Sequence, residues 1–528
     1  MKLLSSVLLL AAGVAAAADA ETTTSGSELL SAQSLFPSSL DIRTDSTSRA
    51  TCAEDYGNVV RNTPREVVVP TSHGDVVSAV RRARFLRRRL TPRGQGHAPR
   101  GQSQCCHCTV MDMSSMRAVL DIGESHITVQ GGAMFRDIID GLAEAGKTTP
   151  VQPDFQGLTI GGLMSAGGLG PAGFKQGMIV DAVLGFKIVD GNARTYYCTP
   201  DNENAELFRM VLGGMGQFGV VTEVTLRTVP RPKKARTYSI VQTPEQMKVN
   251  YAKSLEATTP APFDELQTFM EPVERDSPES PLFFYPPLSG QWPNTSNGWL
   301  YKHDVTVLYN DESDAPNDQE VMSYFGDLAM PGAAWVAADQ TYEEHLYRLE
   351  FPFSLLKASG QWYAPHVWLD IFIGNTVDEA TAYVDNTLTG TDLADVAGGS
   401  VMMMYPFDFS RMATNSDALA LPAGKGVAMG LLREASPPSM VEAERLDRVN
   451  RVIRDDLLES GKGRGYLPDS APVDEEGWIK HLGQERYEAM LAAKRKYDPR
   501  QLFGAGWTGF GNRGPRALFD KPCPFPQL

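Results

Sequence analysis

Glycine crowds one short stretch of this sequence. Seven of the seventeen residues 161–177 are glycines. Because glycine has no Cβ, such a stretch lets backbone N–H groups approach a flat or anionic ligand closely. Two further glycine-spaced loops, 93–97 and 213–219, lie before and after it in the chain. Any one of these loops alone is typical of a plain turn, but the three together predict a cofactor cradle.

Two of these glycine runs fit the dinucleotide-binding pattern G-x-G-x-x-G, one starting at Gly168 and one at Gly214. That pattern marks a nicotinamide site only where it follows a strand and opens a helix. The first run contains Pro171 and follows no strand-like segment, and the second leads directly into the strand-like run 220–229. Asp190 follows the first run at the distance of a ribose-binding acid, but it lies in a predicted hairpin turn. We therefore reject a nicotinamide Rossmann site.

The chain is acidic overall. Its 528 residues carry 49 Lys+Arg against 64 Asp+Glu, a formal net charge of −15. Because such a chain repels phosphate, neither nucleic acid nor an anionic membrane surface is expected as a partner. Residues 81–100 are an exception, with eight arginines and no acid. Most of 81–89 fits a solvated helix face, and the end of this basic island leads into the glycine loop at 93–97.

The N-terminus predicts secretion. Lys2 is followed by a largely apolar run and a small-x-small triplet, the pattern of a signal peptide cleaved near Ala20. No later stretch approaches the roughly 18 apolar residues that a membrane span needs. A secreted chain can carry disulfides and glycans, and Asn294 lies in the one N-x-Ser/Thr sequon.

Six cysteines leave fifteen possible pairings, so the disulfide connectivity stays open. The cluster Cys105-Cys106-His107-Cys108 invites a zinc interpretation. Its side chains are too crowded in sequence for one tetrahedral shell, and no second Cys/His cluster is present to complete it. We expect no metal site, and instead a loop with one or two disulfide-bonded cysteines; a redox-active pair is the other alternative.

Hydrophobic periodicity predicts two lobes in which helices and strands alternate. In the first lobe, helices are expected over 76–90 and 133–145, and strands at 66–69, 117–122, 127–130, 182–189, 194–198 and 220–229. In the second lobe, strands are expected at 305–309, 368–374, 401–405 and 426–432, and helices at 320–328 and 439–460. A last helix is expected from about residue 485.

Several segments follow one another in the order of a known set of motifs. Residues 93–98 read Arg-Gly-Gln-Gly-His-Ala, with Gln102 shortly after; the other segments are 110–113, 153–162, 212–222, 405–406, 466–468 and 496–499. Together they resemble the flavin-binding motifs of the vanillyl-alcohol oxidase superfamily, the PCMH-type FAD-binding oxidoreductases. The most similar branches are the cytokinin dehydrogenase-like and berberine bridge enzyme-like proteins, and the resemblance covers about residues 50–510.

This resemblance implies an α+β fold. A two-part PCMH-type FAD-binding domain (50–235 and 470–528) would enclose an α+β substrate domain (236–469), after a signal peptide (1–20) and a leader (21–49). It implies FAD as cofactor, bonded covalently through its 8α-methyl carbon to His97, with Asp154 as the catalytic carboxylate near flavin N5. The implied cofactor contacts are Gly94, Gln95, Gly96, His97, Ala98, Gln102, Asp154, Thr159, Ser165, Leu169, Val221 through its backbone, and Tyr466.

The sequence departs from the cytokinin branch in places. Residues 94–98 read Gly-Gln-Gly-His-Ala in place of Gly-Arg-Gly-His-Ser, Gln152-Pro153 replaces Trp-Thr, and Trp507 replaces a glutamine near the flavin ring. An adenine-recognising glutamate has no clear match. These departures weigh against cytokinin as substrate but not against dehydrogenation at a flavin. A second, cysteinyl flavin bond is not expected, because no cysteine lies between Cys108 and Cys198.

The leading hypothesis is a secreted FAD-linked oxidoreductase. It would transfer hydride from a small organic substrate (an alcohol, an amine or a natural-product intermediate) to FAD, which O2 or another acceptor would reoxidise. The alternatives are a cytokinin dehydrogenase in the narrow sense and an oligosaccharide oxidase. From a different class comes a ligand-binding protein that retains FAD without turnover, and the aligned Asp154 favours catalysis over it.

Overall fold

A computed structural model of the chain describes residues 40–256, 260–272, 299–325, 336–388, 401–435, 438–470, 472 and 474–504. The predicted signal peptide, Asn294, Trp507 and Cys523 lie outside these ranges. The described residues form three larger β-sheets and one short two-stranded pair.

The first sheet contains the strands that precede and follow the glycine loop at 93–97. It has four strands in the order β1-β2-β4-β3, with β4 parallel to both β2 and β3: β1 Asp41–Arg43, β2 Glu66–Val69, β3 Leu90–Arg93 and β4 Thr109–Asp112. Two helices accompany it, α1 Ser46–Thr51 and α2 His73–Leu86. Ser72 and Asp75 form a capping box that starts α2, and Arg87 ends it in the left-handed conformation (φ 54°).

The second sheet is antiparallel, with five strands in the order β5-β6-β10-β8-β9: β5 Val119–Ile122, β6 His126–Gln130, β8 Val183–Asp190, β9 Thr195–Cys198 and β10 Gly219–Arg227. A short pair joins β7 Lys147–Thr148 to β11 Val229–Pro230. Its helices are α3 Phe135–Ala143, α4 Ile160–Ala166, α5 Gly173–Gln176 and α6 Ala205–Val211. We call residues 40–230, which contain these two sheets, the N-terminal lobe.

The third sheet is larger, and all its neighbouring strands are antiparallel. Its order is β15-β12-β14-β13-β17-β18-β16-β19: β12 Lys234–Gln242, β13 Glu265–Pro272, β14 Trp299–Tyr309, β15 Val336–Thr341, β16 Leu369–Ile373, β17 Val401–Asp408, β18 Lys425–Leu432 and β19 Gly463–Gly465. Its helices are α7 Pro244–Ser254, α8 Asp318–Phe325, α9 Tyr342–Leu346, α10 Glu350–Ser359, α11 Val377–Tyr383, α12 Met440–Glu459 and α13 Leu467–Ser470. We call residues 234–470 the large-sheet lobe.

After the large-sheet lobe the chain returns to the N-terminal lobe. Helices α14 Glu475–Leu482 and α15 Gln484–Tyr497 share one hydrophobic core with the second sheet. The buried Lys494 of α15 donates to the carbonyl of Gln217 at 2.7 Å and pairs with Asp498 at 2.8 Å. Helix α15 therefore holds the third glycine loop, residues 213–219, in place through the hydrogen bond from Lys494.

The α+β fold class is confirmed, and most predicted elements are present with small shifts at their ends. One expectation was wrong at its end: the helix predicted to reach residue 90 stops at Leu86, and Leu90 begins β3. The physical reason is the left-handed turn at Arg87, which places Leu90 in the core of the first sheet beside β4.

The basic island is partly internal. Arg82 is only 2% exposed and forms two hydrogen bonds with Glu66 of β2, one of them 2.9 Å long. Arg88 adds a contact at 3.4 Å, and Thr109 of β4 donates to the same carboxylate at 2.7 Å. Burial alone would raise the pKa of Glu66, but Arg82 and Thr109 outweigh it and hold that pKa below its ordinary value. This buried pair ties α2 to the first sheet.

The cysteine cluster contains a disulfide. Cys105 and Cys108 are joined by a disulfide, whereas Cys52 and Cys198 are buried free thiols. Across the described ranges, no group of three His, Cys, Asp or Glu side chains is placed to hold a metal ion. Nor does any helix within those ranges have the length and apolar character to cross a membrane.

Removing Arg82 tests the internal part of the basic island. Arg82→Met leaves the buried Glu66 carboxylate undercompensated, so we expect the free energy of unfolding to fall by about 3–5 kcal/mol. Arg81→Met, on the exposed face of the same helix, should change it by less than about 0.5 kcal/mol. Urea unfolding midpoints of the two variants measure the difference, and equal midpoints would contradict the assignment.

Candidate active site

A cavity of about 510 Å³ lies between the N-terminal lobe and the large-sheet lobe. The three glycine loops line one side of it, and strands β12, β13, β14, β17 and β18 line the other. All twelve sequence-predicted site residues line this one cavity: Gly94, Gln95, Gly96, His97, Ala98, Gln102, Asp154, Thr159, Ser165, Leu169, Val221 and Tyr466. The structure thus brings the whole predicted set together, while the role of each residue remains a prediction.

The loop 94–98 meets its neighbours at positions that need glycine. A Cβ on Gly94 would lie 2.1 Å from Oγ1 of Thr159, and Gly96 has a φ of +68°. In the described part of the chain, the backbone N–H groups of 95–98 donate to no backbone carbonyl. A tight loop with free N–H groups is the kind of backbone that holds a pyrophosphate.

His97 lies at the end of this loop in an aromatic stack. Its ring lies parallel to Tyr56 with centroids 4.0 Å apart, and Tyr56 stacks on His366 at 4.3 Å. Burial lowers the pKa of His97 to about 3, so the imidazole is neutral at physiological pH. Its Nε2 is buried and has no hydrogen-bond partner among the described residues.

Two side chains tie the glycine loops to the end of the large-sheet lobe. Gln102 donates through Nε2 to the carbonyl of Pro468 at 2.6 Å. The hydroxyl of Tyr466 accepts from the N–H of Gly168 at 3.2 Å. These bonds link the segment that follows the loop 93–97, and the glycine stretch 161–177, to the same short segment of the large-sheet lobe.

The features on this side of the cavity fit a flavin dinucleotide. The glycine loops leave room and N–H donors where a Cβ would intrude, which suits the pyrophosphate. His97 offers a neutral ring with an unpaired nitrogen, which suits attachment to the isoalloxazine. The residues that would hold FAD are therefore the loop 94–98, Gln102, Thr159, Ser165 and Tyr466.

Asp154 lies on the N-terminal lobe and bonds to side chains of the large-sheet lobe. Its Oδ1 accepts from Nη2 of Arg348, and its Oδ2 accepts from the hydroxyl of Tyr405 in β17. Tyr405 itself accepts from Nε2 of Gln267 at 3.2 Å. Burial raises the pKa of Asp154, and the positive charge of Arg348 opposes that rise. The result is a carboxylate held in one orientation at the cavity wall.

A second carboxylate lies in the same wall. Glu265 of β13 is 4% exposed and pairs with Nε2 of His345 at 2.7 Å, and Nδ1 of His345 lies 3.1 Å from Nε2 of Gln340. Burial alone would raise the pKa of Glu265, but His345 and Arg348 outweigh it and lower it. This wall therefore has two carboxylates, each beside a basic side chain.

The rest of the wall mixes polar and apolar side chains. Thr237 and Thr306 share a hydrogen bond at 2.9 Å, and Asp304 accepts from Ser239 at 2.5 Å. The apolar lining is supplied by Phe269, Phe353, Met403 and Met429. Such a wall suits an organic molecule with both an apolar body and hydrogen-bonding groups.

Sequence reasoning missed several of these residues. Arg348, His345 and Glu265 belong to no quoted motif, and their partners lie far away in the sequence. Tyr405 was part of the Tyr405-Pro406 segment, which marked its place without indicating its contact with Asp154. Gln152, one of the departures from the cytokinin branch, does not belong to the cavity lining: it donates to Thr148 at 3.2 Å and to Tyr342 at 3.1 Å.

Comparison with known proteins agrees with this geometry. A family profile described as "FAD binding domain" matches residues 64–199, and one described as "Cytokinin dehydrogenase 1, FAD and cytokinin binding" matches 276–510. Cytokinin dehydrogenase 6 of Oryza sativa subsp. japonica is 27% identical over 503 residues, which cover 91% of this chain and 93% of that protein.

Two other relatives extend the comparison to another plant and to a bacterium. Cytokinin dehydrogenase 3 of Arabidopsis thaliana is 25% identical over 89% of this chain and 90% of its own length. An uncharacterized oxidoreductase of the fasciation locus of Rhodococcoides fascians is 27% identical over 88% of this chain and 98% of its own length. These matches show an FAD-dependent oxidoreductase with a PCMH-type FAD-binding domain, similar along most of its length to cytokinin dehydrogenases, and they are consistent with the vanillyl-alcohol oxidase superfamily.

Proposed function

We propose that the chain oxidises a small organic substrate, an alcohol, an amine or a natural-product intermediate, with Asp154 as the proton acceptor. FAD, when bound, supplies the hydride acceptor. The observation that carries the proposal is the placement of Asp154: a carboxylate fixed by two side chains in the wall of the cavity that the glycine loops line. O2 or another acceptor would reoxidise the flavin.

In this proposal Asp154 accepts the proton of the substrate N–H or O–H group, while the hydrogen on the neighbouring carbon leaves as hydride. Oxidation at a carbon next to nitrogen or oxygen releases a proton from the N–H or O–H group, and a positioned carboxylate takes it up. Tyr405 and Arg348 hold the two oxygens of Asp154, so the carboxylate does not have to reorient during turnover.

We also propose that His97 carries FAD covalently at the 8α position. A neutral imidazole with an unpaired nitrogen supports this assignment, because an imidazolium has no ring lone pair to offer and the Nε2 of His97 is engaged in no hydrogen bond among the described residues. The same proposal includes a two-part FAD-binding domain at 50–235 and 470–528, secretion after cleavage near Ala20, and glycosylation at Asn294.

A cytokinin dehydrogenase in the narrow sense is the second candidate. The observation in its favour is the set of relatives that carry this name and align along most of the chain. Against it stand Gln95 and Ala98, which replace a cation and a hydroxyl of that branch. An oligosaccharide oxidase and an FAD-retaining binding protein remain further alternatives.

The covalent bond is tested by acid precipitation of the purified protein. We expect the yellow colour to stay with the precipitate of the wild type and to pass into the supernatant for His97→Ala. His366→Ala is the matched control, because His366 belongs to the same stack but does not line the cavity, so its flavin should stay attached. Colour in the wild-type supernatant would refute the bond.

Replacing Asp154 by Asn tests the proton acceptor. Because the amide keeps the shape but cannot take up a proton, we expect kcat to fall about 100-fold or more while flavin content stays unchanged. Asp140→Asn is the control: Asp140 also accepts from a tyrosine of the large-sheet lobe, Tyr347, at 2.5 Å, but does not line the cavity. A parallel loss of activity and flavin would make Asp154 a folding residue.

A substrate screen separates the candidate activities. Cytokinins, other amines, alcohols and oligosaccharides would be offered in turn, with peroxide release and reduction of a dye acceptor measured side by side. We expect turnover of at least one amine or alcohol. Turnover of cytokinins above all others would select the second candidate, and a purified flavoprotein that reduces no dye with any compound would favour the binding-protein alternative.

A further inference from the structure

One short segment supplies the basic partner of both carboxylates in the cavity wall. Helix α9 places His345 against Glu265, and the turn after it places Arg348 against Asp154. Arg348 is fastened to the same segment, since its Nη1 donates to the carbonyl of His345 at 3.0 Å. Its guanidinium therefore has a fixed position from which it reaches across to the N-terminal lobe.

Asp154 needs this partner because its other surroundings disfavour its charge. Burial raises the pKa of Asp154, and the carboxylate of Glu265 acts in the same direction. The groups that face Asp154 and oppose these effects are Arg348, the hydroxyl of Tyr405 and, more weakly, His345. Arg348 is the largest of the opposing influences and the one that carries a permanent charge.

We propose that Arg348 is a positioning residue of the oxidation, which keeps the Asp154 carboxylate ionised and oriented to accept the substrate proton. This inference rests on the proposed function. In the step concerned, the substrate gives a hydride with its electron pair to FAD and a proton from N–H or O–H to Asp154, and its C–N or C–O single bond becomes double. Asp154 then passes the proton to solvent.

The contacts leave Asp154 free to take that proton. Each oxygen of a carboxylate can accept more than one hydrogen bond, so Oδ1 and Oδ2 can hold Arg348 and Tyr405 and still accept from the substrate. Because Arg348 already compensates the negative charge of Asp154, the pair has little net charge left to attract a cationic group. We therefore expect the group that approaches Asp154 to be an uncharged N–H or O–H.

The test is the pH dependence of kcat/KM for Arg348→Gln. A nearby opposite charge lowers a carboxyl pKa by about 1–3 units, so its removal should move the acid limb of the profile to higher pH by about the same amount. Activity lost at neutral pH should therefore return in alkaline buffer. Arg348→Lys keeps the charge and should keep most of the wild-type profile.

Arg136→Gln is the matched control. Arg136 of α3 pairs with Glu350 at 2.5 Å, so it also joins the N-terminal lobe to the segment that follows α9, but it does not line the cavity. We expect its acid limb to coincide with that of the wild type. A shift as large as that of Arg348→Gln would mean that any bond between the lobes moves the profile, and would overturn the proposal.

A second readout does not depend on activity. Removing Arg348 raises the pKa of folded Asp154 further, so the folded state binds a proton that the unfolded state releases. Arg348→Gln should therefore lose more stability near pH 8 than near pH 5, relative to the wild type. The double variant Asp154→Asn/Arg348→Gln should lose this pH-dependent part. A pH-independent loss that persists in the double variant would overturn the proposal.

The outcomes separate the inference from the function on which it rests. If Asp154→Asn keeps wild-type turnover, the proposed function fails. If Asp154→Asn loses turnover while Arg348→Gln keeps the wild-type acid limb, only the role of Arg348 fails. Should Arg348→Gln not fold, recovery of folding in the double variant would support charge compensation, and a double variant that also fails to fold would make Arg348 a purely structural residue.

Discussion

The carboxylate of Asp154 joins the two lobes at the place where chemistry is proposed. It lies on the N-terminal lobe, and both of its oxygens accept hydrogen bonds from the large-sheet lobe, from Arg348 and from Tyr405. A charge placed deep in a cavity is stable only where partners compensate it. The two lobes therefore have to pack in one relative position. The hydrogen bonds that fix this position also orient the carboxylate toward the cavity.

The opposite side of the cavity depends on close backbone approach. At Gly94 a side chain would collide with Thr159, and at Gly96 the backbone has a positive φ, so this loop keeps its shape only with glycine. Burial keeps the imidazole of His97 neutral, and stacking on Tyr56 holds its ring plane. One wall of the cavity thus offers backbone donors and a neutral ring, and the other offers acidic side chains paired with basic ones.

Local patterns predicted much of this architecture. The periodicity around Phe135 and the alternation of 220–229 predicted α3 and β10, because in these elements one face is buried and the other is solvated. The motif segments, through the family that they resemble, predicted twelve site residues, and all twelve line one cavity. Local periodicity could not show that Arg87 would adopt a left-handed turn and end α2, since arginine is an ordinary helix former.

Local sequence patterns could not predict which charged side chains pair with each other in the site, and the reason is physical. Arg348 and Asp154 are 194 residues apart, and Glu265 and His345 are 80 apart, so only the tertiary fold brings each pair together. The buried pair of Glu66 and Arg82 could not be predicted for the same reason. The arginine run has the pattern of a solvated helix face, and only the packing of this helix on the first sheet shows that Arg82 is buried.

The central claim is that Asp154 accepts a proton as hydride leaves the substrate. It is tested most directly by the rate at which substrate bleaches the oxidised flavin under anaerobic conditions, measured as a function of pH. The account predicts that the wild-type rate falls with decreasing pH through one ionisation, and that Asp154→Asn is slow and independent of pH over the same range. The same pH dependence in both proteins would assign the ionisation to another group and contradict the account.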